Sequence, residues 1–270
     1  MRALVLLAVF AASSLVRAQP AVEAPLDRVL SSVVQRDGRV DYARLARDRS
    51  DLDAALGAIA RQDPGALRTD AQRTAFLINA YNAHVLDRVL AHPRASNIER
   101  GDLFSAFFRT PIRVAGQSMT LDQLEHGVLR RQARVNGRSV PQAARRLRPS
   151  RIDARIHAAL NCAAISCPPL RSRAYRASTL DRDLGRQFSA WLASDRAARM
   201  DGRTLVLSSL FDWFASDFEG GQRLGDALLR AMPQSRARRF RDQLSGQSAQ
   251  ALRDARRVRF AYDWTINRAR

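Results

Sequence analysis

The chain has 270 residues, of which 46% are hydrophobic, so it can bury the core of one large domain or two small ones. Its formal net charge is +19, and all 45 basic residues are arginine, since the sequence contains no lysine. Genomic base composition explains this bias more easily than selection for a binding surface does. No nucleic-acid-binding motif accompanies the arginines, which argues against a DNA or RNA partner. The partner stays open, with an anionic envelope polymer or a protein as one alternative and a solvated basic surface as the other.

Residues 1–18 have the pattern of a secretory signal peptide. Arg2 is followed by the apolar run Ala3–Val16, and the small residues that a signal peptidase requires precede an expected cleavage after Ala18. The run is shorter than the roughly 20 apolar residues of a membrane-spanning helix, and no later stretch comes close. We therefore expect an exported protein, periplasmic or secreted, without a membrane span, in which residues 19–270 form a single globular domain.

The first half of the mature chain is predicted to be mainly helical. Apolar residues at helical spacing predict one helix over Asp41–Ala60, and a second over Asp70–Ala91 is so apolar that much of its circumference should be buried. Pro111–Val114 is expected to be a short extended piece. The capping-box pattern that begins at Thr120 and includes Gln123 then opens a helix that continues to Arg131.

The second half contains three predicted strands that are separated by helices. The strands are Arg155–Asn161, Thr204–Leu207 and Val258–Trp264, and the helices are Ser178–Ala193, Ser209–Phe218 and a helical region that reaches Arg256. Because the strands are few and far apart in the sequence, they do not form a βαβ series. The predicted fold is α+β, a predominantly helical single domain around a small, mostly antiparallel sheet.

Only four histidines and two cysteines occur in the chain, so few side chains can provide a nucleophile or a base. In an enzyme, Cys162 would be the nucleophile and His157 or His126 its base, with Glu125 or an asparagine orienting the imidazole. Such a set suits amide or ester hydrolysis or acyl transfer, because a thiol needs a nearby imidazole to become a thiolate. On the predicted strand, however, His157 and Cys162 lie on opposite faces, so they meet only if the strand ends before Cys162.

Other candidate residues have a structural and a functional interpretation. Asn79 and Asn82 share one face of the predicted helix, where they either hydrogen-bond a neighbouring loop or polarise a substrate carbonyl. Tyr81 is expected to face elsewhere and to pack. The adjacent side chains of Glu125 and His126 should diverge by about 100° on an α-helix.

Besides the enzyme, two further interpretations of the chain remain open. Cys162 and Cys167 are an even pair across a turn in an exported protein, which favours a disulfide in a non-catalytic scaffold with a basic surface. The third hypothesis is a zinc site, although the usual ligand spacings are absent, with the ligands His126, His157, Cys162 and Glu125. No cofactor is expected. Asp217 or Asp263 is a further candidate for orienting a histidine, and His84 is expected at a helix surface.

Six segments of the chain share their order and composition with a known family. They are Asp37-Gly-Arg-Val-Asp-Tyr42, Ala75-Phe-Leu-Ile-Asn79-Ala-Tyr81-Asn82-Ala83, Leu121-Asp-Gln-Leu-Glu125-His126-Gly-Val-Leu-Arg130, the segment from His157 to Pro169, Leu210-Phe-Asp-Trp-Phe-Ala-Ser-Asp217-Phe218, and Tyr262-Asp263-Trp264. Most of the mature chain thereby resembles the family catalogued as domain of unknown function 547. The resemblance implies that the family pattern centres on Asn79, Asn82, Glu125, His126, His157 and Cys162, and that a thiol matching Cys167 is less uniformly present. It implies no reaction, because no activity is established for that family.

Overall fold

The computed structural model describes residues 21–269, so the predicted signal peptide lies outside the described residues. Within this range the α-helices are α1 (Glu23–Val33), α2 (Tyr42–Arg47), α3 (Ser50–Arg61), α4 (Asp70–Ala91), α5 (Leu103–Arg109), α6 (Leu180–Leu192), α7 (Leu210–Trp213), α8 (Ala215–Glu219), α9 (Leu224–Ala231), α10 (Gln234–Leu244) and α11 (Ala249–Asp254). The strands are β1 (Ile112–Val114), β2 (Gln117–Met119), β3 (Arg134–Val135), β4 (Arg138–Ser139), β5 (Ala198–Asp201), β6 (Thr204–Ser208) and β7 (Val258–Ala261). None of the described helices is long and apolar enough to cross a membrane.

Helix α4 is the central helix, and its predicted bounds are confirmed. It begins after Thr69, whose side chain and that of Gln72 form a reciprocal capping box. Most of its residues are buried, as the apolar sequence predicted. The expectation that His84 lies at the surface is wrong: this residue is 7% exposed, and its Nε2 lies 3.3 Å from the carbonyl oxygen of Arg113 at β1.

The α+β fold class is confirmed, with the strands arranged in three small sheets rather than one. β1 pairs with β2 and β3 with β4, each antiparallel, while β6 lies between antiparallel β5 and parallel β7. Leu207 of the central strand β6 pairs with Ala198 of β5 on one side and with Phe260 of β7 on the other. The two antiparallel hairpins are each closed by a two-residue turn with positive φ, Ala115-Gly116 and Asn136-Gly137.

The predicted strand Arg155–Asn161 is wrong, because residues Ala154–Ala158 form a 3-10 helix. The Asp153 carboxylate accepts a hydrogen bond from the backbone N–H of Arg155 at 3.0 Å and so caps the first turn. A short buried run offers no periodicity that separates a strand from a helical turn, and here no neighbouring strand pairs with it. The assignment of His157 and Cys162 to opposite strand faces therefore does not apply.

Two predicted helices are each divided into shorter ones. Asp41–Ala60 becomes α2 and α3, because the backbone is extended at Asp48, whose carboxylate accepts a hydrogen bond from the backbone N–H of Ser50. Ser209–Phe218 becomes α7 and α8, with Phe214 between them outside helical geometry. The predicted helix after Thr120 is shorter and wider than expected, as described below.

The core has two hydrophobic clusters. The first surrounds α4 and takes residues from α1 through the start of α6, and the second is built by the three-stranded sheet and the C-terminal helices around Trp191, Phe211 and Phe240. After β7 the chain returns to the first cluster, where Ile266 is buried and pairs with Ala164 in an isolated β-bridge. This return crosses the seam between the two clusters, and the candidate site lies along it.

Candidate functional site

A π-helix presents Glu125 and His126 to the candidate site. It spans Gln123–Leu129, and its wider turn is marked by the bond from the backbone N–H of Arg130 to the carbonyl of Glu125, five residues earlier, at 2.9 Å. The predicted capping box is confirmed, since Thr120 Oγ1 accepts from the N–H of Gln123 at 3.1 Å. Glu125 and His126 both line the pocket described below. This was not predicted, because adjacent side chains on an α-helix point in different directions.

The two cysteines lie in a loop that one buried asparagine holds in place. Asn161 Oδ1 accepts a hydrogen bond from the N–H of Ala163 at 3.0 Å, and its Nδ2 donates to the carbonyl of Pro168 at 2.8 Å. Ala163 has a left-handed backbone with φ of 63°, which turns the chain sharply after Cys162. Cys162 and Cys167 form a disulfide across this turn, as the scaffold hypothesis predicted. The sequence analysis did not identify Asn161 as the residue that holds the loop.

Tyr262 lies directly against the disulfide. Its hydroxyl is 3.0 Å from Cys162 Sγ and 3.1 Å from Cys167 Sγ, and the backbone N–H of Cys162 donates to Cys167 Sγ at 3.1 Å. Burial raises the pKa of Tyr262 far above its usual range, and the negative charge of Glu125 adds to the effect. The hydroxyl therefore stays protonated and faces both sulfur atoms, whereas no described histidine has a hydrogen bond to either sulfur.

Aromatic rings form one wall of the site. Trp213 and Trp264 are stacked with centroids 5.7 Å apart, and Tyr262 contacts both, at 4.9 Å and 4.7 Å. Phe104 meets Trp264 edge-on at 5.5 Å. Trp213 is 45% exposed despite this packing, so an apolar face is open to solvent at the pocket mouth.

A buried hydrogen-bond network lies behind the π-helix. His157 Nε2 is 2.8 Å from Asp217 Oδ2, and Arg130 binds the same carboxylate through Nε at 2.5 Å and Nη2 at 3.2 Å. Arg130 Nη1 also lies 3.1 Å from His126 Nδ1, and its guanidinium stacks over Phe214 at 4.6 Å. Because a guanidinium only donates, His126 Nδ1 accepts, which places the proton of the neutral ring on Nε2.

The charges of this network explain its pKa shifts. Burial alone would raise the pKa of Asp217, but the hydrogen bonds from His157 and Arg130 outweigh it and lower the pKa to about 2. Burial lowers the pKa of His157 more than Asp217 raises it. Asp217 is thus the residue that orients a histidine, one of the two predicted possibilities; Asp263 instead accepts from the backbone N–H of Thr265 at 2.8 Å.

Tyr81 is a site residue that the sequence analysis assigned to packing. It lines the pocket together with Glu125. Burial, followed by the negative charge of nearby Glu125, raises the pKa of Tyr81 well above its usual range, so the hydroxyl stays protonated. A tyrosine on a nearly fully buried helix gives no sequence signal that separates packing from this role.

Four of the six predicted site residues line one pocket of about 560 Å³. They are Glu125, His126, His157 and Cys162. The other two, Asn79 and Asn82, are buried outside it and bind backbone on both sides of the amide. Asn79 donates to the carbonyl and accepts from the N–H of Tyr175, both at 2.8 Å. Asn82 donates to the carbonyl of Ala159 at 3.0 Å and accepts from the N–H of Asn161 at 2.9 Å.

The hypothetical zinc ligands are not assembled as a metal site. Within residues 21–269, no group of three or more His, Cys, Asp and Glu side chains is arranged to hold a metal ion. Two of the four proposed ligands are engaged elsewhere, since Cys162 is in the disulfide and His157 binds Asp217. The zinc hypothesis is therefore wrong for the described residues.

A protein-family model matches the central part of the chain. Residues 66–192 match the model described as protein of unknown function, DUF547. The match covers slightly less than half of the 270 residues. The DUF547 segment contains α4, the π-helix and the cysteine loop, which confirms the resemblance predicted from the motifs, while the motifs at 37–42, 210–218 and 262–264 lie outside it. No curated protein and no solved structure matches the chain.

Proposed function

We propose that the chain is an exported ligand-binding protein whose pocket takes a small organic molecule between the π-helix and the aromatic wall. The observation that carries this proposal is that Glu125, His126, His157 and Cys162, selected from the sequence, all line one pocket of about 560 Å³. Small-molecule sites in proteins have similar volumes, from roughly 300 to 1,000 Å³, and combine apolar walls with a few fixed polar groups.

The pocket has both kinds of surface. Trp213 and Trp264 offer flat apolar faces at the mouth, and Glu125 offers a carboxylate near the phenol of Tyr81. His126 adds a ring N–H at Nε2, because its Nδ1 accepts from Arg130. A ligand with a flat apolar part and a polar group therefore finds a partner for each part.

The disulfide supports binding over thiol catalysis. A cysteine acts as a nucleophile in its thiolate form, and neither Cys162 nor Cys167 has a thiol while the two are linked. The buried network also lacks a base at the sulfur, because His157 is bound to Asp217 instead. Asn79 and Asn82, which an acyl-transfer site would use as oxyanion donors, have their amides bonded to backbone.

Tryptophan labelling with 5-fluorotryptophan tests the binding proposal directly. The chain has three tryptophans: Trp213 and Trp264 line the pocket, and Trp191 is fully buried in the second cluster. A small-molecule library screened by fluorine NMR should contain compounds that shift the resonances of Trp213 and Trp264 and leave that of Trp191 in place. A library that shifts none of the three, or all three alike, contradicts a ligand site in this pocket.

A second candidate function is thiol-dependent hydrolysis or acyl transfer by the reduced protein. One observation favours it: both sulfur atoms line the pocket, and Tyr262 offers a hydroxyl 3.0 Å from Cys162 Sγ. Reduced protein treated with p-nitrophenyl acetate should then release one equivalent of p-nitrophenolate and carry an acetyl group on Cys162. The same result with a Cys162→Ser variant, or no acetylation after reduction, would rule this candidate out, and Cys167→Ser is the matched control.

A further inference from the structure

We infer that the ligand of this pocket is an organic cation, an ammonium compound with a flat apolar group. The inference rests on the proposed function and adds the chemical class of the ligand. It follows from three features of the pocket: a carboxylate without a cationic partner, neighbouring cations that are already engaged, and aromatic faces beside the carboxylate.

Glu125 is the carboxylate without a cationic partner. Within residues 21–269 it forms no salt bridge, and the phenol of Tyr81 lies near its side chain. A carboxylate has about four acceptor positions, so one neighbouring phenol leaves most of them open. Glu125 is half-buried at the pocket wall, where an unpaired negative charge attracts a cation more strongly than it would at an exposed surface.

The positive groups that line the same pocket are engaged. Arg130 forms a two-pronged ion pair with Asp217, and both side chains are more than nine-tenths buried. His126 is neutral while its Nδ1 accepts from Arg130. Arg134 lies exposed at the rim and donates to the carbonyl of Gly137. None of these groups forms a salt bridge with Glu125, and the charge of Glu125 contributes to the raised pKa of Tyr81 and of Tyr262.

The composition of the chain makes this acidity unusual. The protein carries a net charge of +19 and has only four glutamates, of which Glu99 and Glu125 both line this pocket together with Asp122. In an arginine-rich chain, a pocket with acidic residues in its wall is suited to a positive ligand, because the rest of the surface repels one.

The aromatic wall provides the second contact that a cation needs. Tyr262 packs against Trp213 and Trp264. Its raised pKa reflects its burial and the negative charge of nearby Glu125. The negative faces of aromatic rings attract ammonium groups within about 6 Å of their centroids. An ammonium group at Glu125 therefore leaves the apolar part of the ligand to pack on Trp213, which is open to solvent.

Isothermal titration calorimetry with three matched probes tests the charge of the ligand. The probes are 2-phenylethylamine, 2-phenylethanol and 3-phenylpropanoate, which share a phenyl ring and carry a positive, neutral or negative group. The amine should bind about tenfold or more tightly than either of the others, since the ion pair with Glu125 is lost in both. Glu125→Gln should remove that preference and leave 2-phenylethanol binding unchanged, because glutamine keeps the size of glutamate and a hydrogen-bond acceptor.

Two further variants keep the result interpretable. Glu23→Gln on α1 removes one negative charge away from the pocket and should leave the preference for the amine intact. Trp213→Leu, at an exposed position, should weaken all three probes. Equal or tighter binding of 2-phenylethanol or 3-phenylpropanoate overturns the inference and leaves the pocket as a ligand site. If none of the three probes binds, the inference of a cationic ligand is also overturned. The proposed ligand-binding function is overturned only if the fluorine NMR screen finds no ligand either.

Discussion

His157 and Asp217 are joined by a buried hydrogen bond, from Nε2 to Oδ2 at 2.8 Å, although 60 residues separate them in the sequence. His157 belongs to the 3-10 helix before the cysteine loop, and Asp217 to α8 in the C-terminal part of the chain. Arg130 of the π-helix segment binds the same carboxylate. This one carboxylate therefore connects three segments that surround the pocket.

Replacing Asp217 with asparagine should destabilise the protein by about 3–5 kcal/mol. The substitution leaves the guanidinium of Arg130, whose side chain is 8% exposed, without a counter-charge in the interior. Urea unfolding near neutral pH measures the change. The matched control is Asp212→Asn, which breaks the ion pair with Arg253, where the side chains are 26% and 42% exposed, and should cost under about 1 kcal/mol. Equal losses for the two variants would contradict the account of the network.

Replacing Asn82 with alanine should lower the free energy of unfolding by about 2–4 kcal/mol. The buried carbonyl of Ala159 and the N–H of Asn161 would both lose their partner, and each unpaired buried group costs about 1–3 kcal/mol. Asn97→Ala is the control, because its side chain accepts one exposed hydrogen bond from the N–H of Glu99 and should cost under about 1 kcal/mol. A stable Asn82→Ala variant would show that the amide does not support the cysteine loop.

The stability of the protein should fall with acid because of His84. Burial lowers its folded-state pKa to about 4 from the usual value near 6.5. As the pH falls below about 6.5, the unfolded chain binds a proton that the folded protein excludes, so stability present at neutral pH is lost by about 1.4 kcal/mol per pH unit down to about pH 4.

A His84→Gln variant isolates this contribution. Glutamine can still donate to the carbonyl of Arg113 but has no proton to gain. Between about pH 7 and about pH 4.5, wild-type protein should lose about 2–3 kcal/mol more than the variant, because all other titrating groups are shared. Urea unfolding at both pH values gives the comparison, and an identical loss in the two proteins would mean that His84 is not buried in its neutral form.

The sequence predicted features that depend on local signals. The bounds of α4 followed from an apolar run, and the helix after Thr120 followed from its capping box, although the same residues do not distinguish an α-helix from a π-helix. The Cys162–Cys167 disulfide stayed one of two possibilities, because spacing does not determine the distance between sulfur atoms.

Features that depend on the return of the C-terminal segment were not predicted. Tyr262 lies 100 residues after Cys162 and reaches the disulfide only because β7 pairs with β6 and the chain then crosses the seam between the two clusters. Tyr81 was assigned to packing for a different reason, since Glu125 comes near it only through tertiary contacts between α4 and the π-helix. The strand predicted at Arg155–Asn161 was wrong because a short buried run has no periodicity that distinguishes a strand from a helical turn.

Iodoacetamide labelling of protein exported to its native compartment, read by mass spectrometry before and after reduction across a pH series, tests the central claim most directly. If the protein binds a ligand in a pocket whose wall contains the disulfide, Cys162 and Cys167 should be linked and unlabelled before reduction at every pH. Labelling of Cys162 without reduction, at a pH well below the usual thiol pKa of about 8.5, would reveal an activated thiolate and contradict the account.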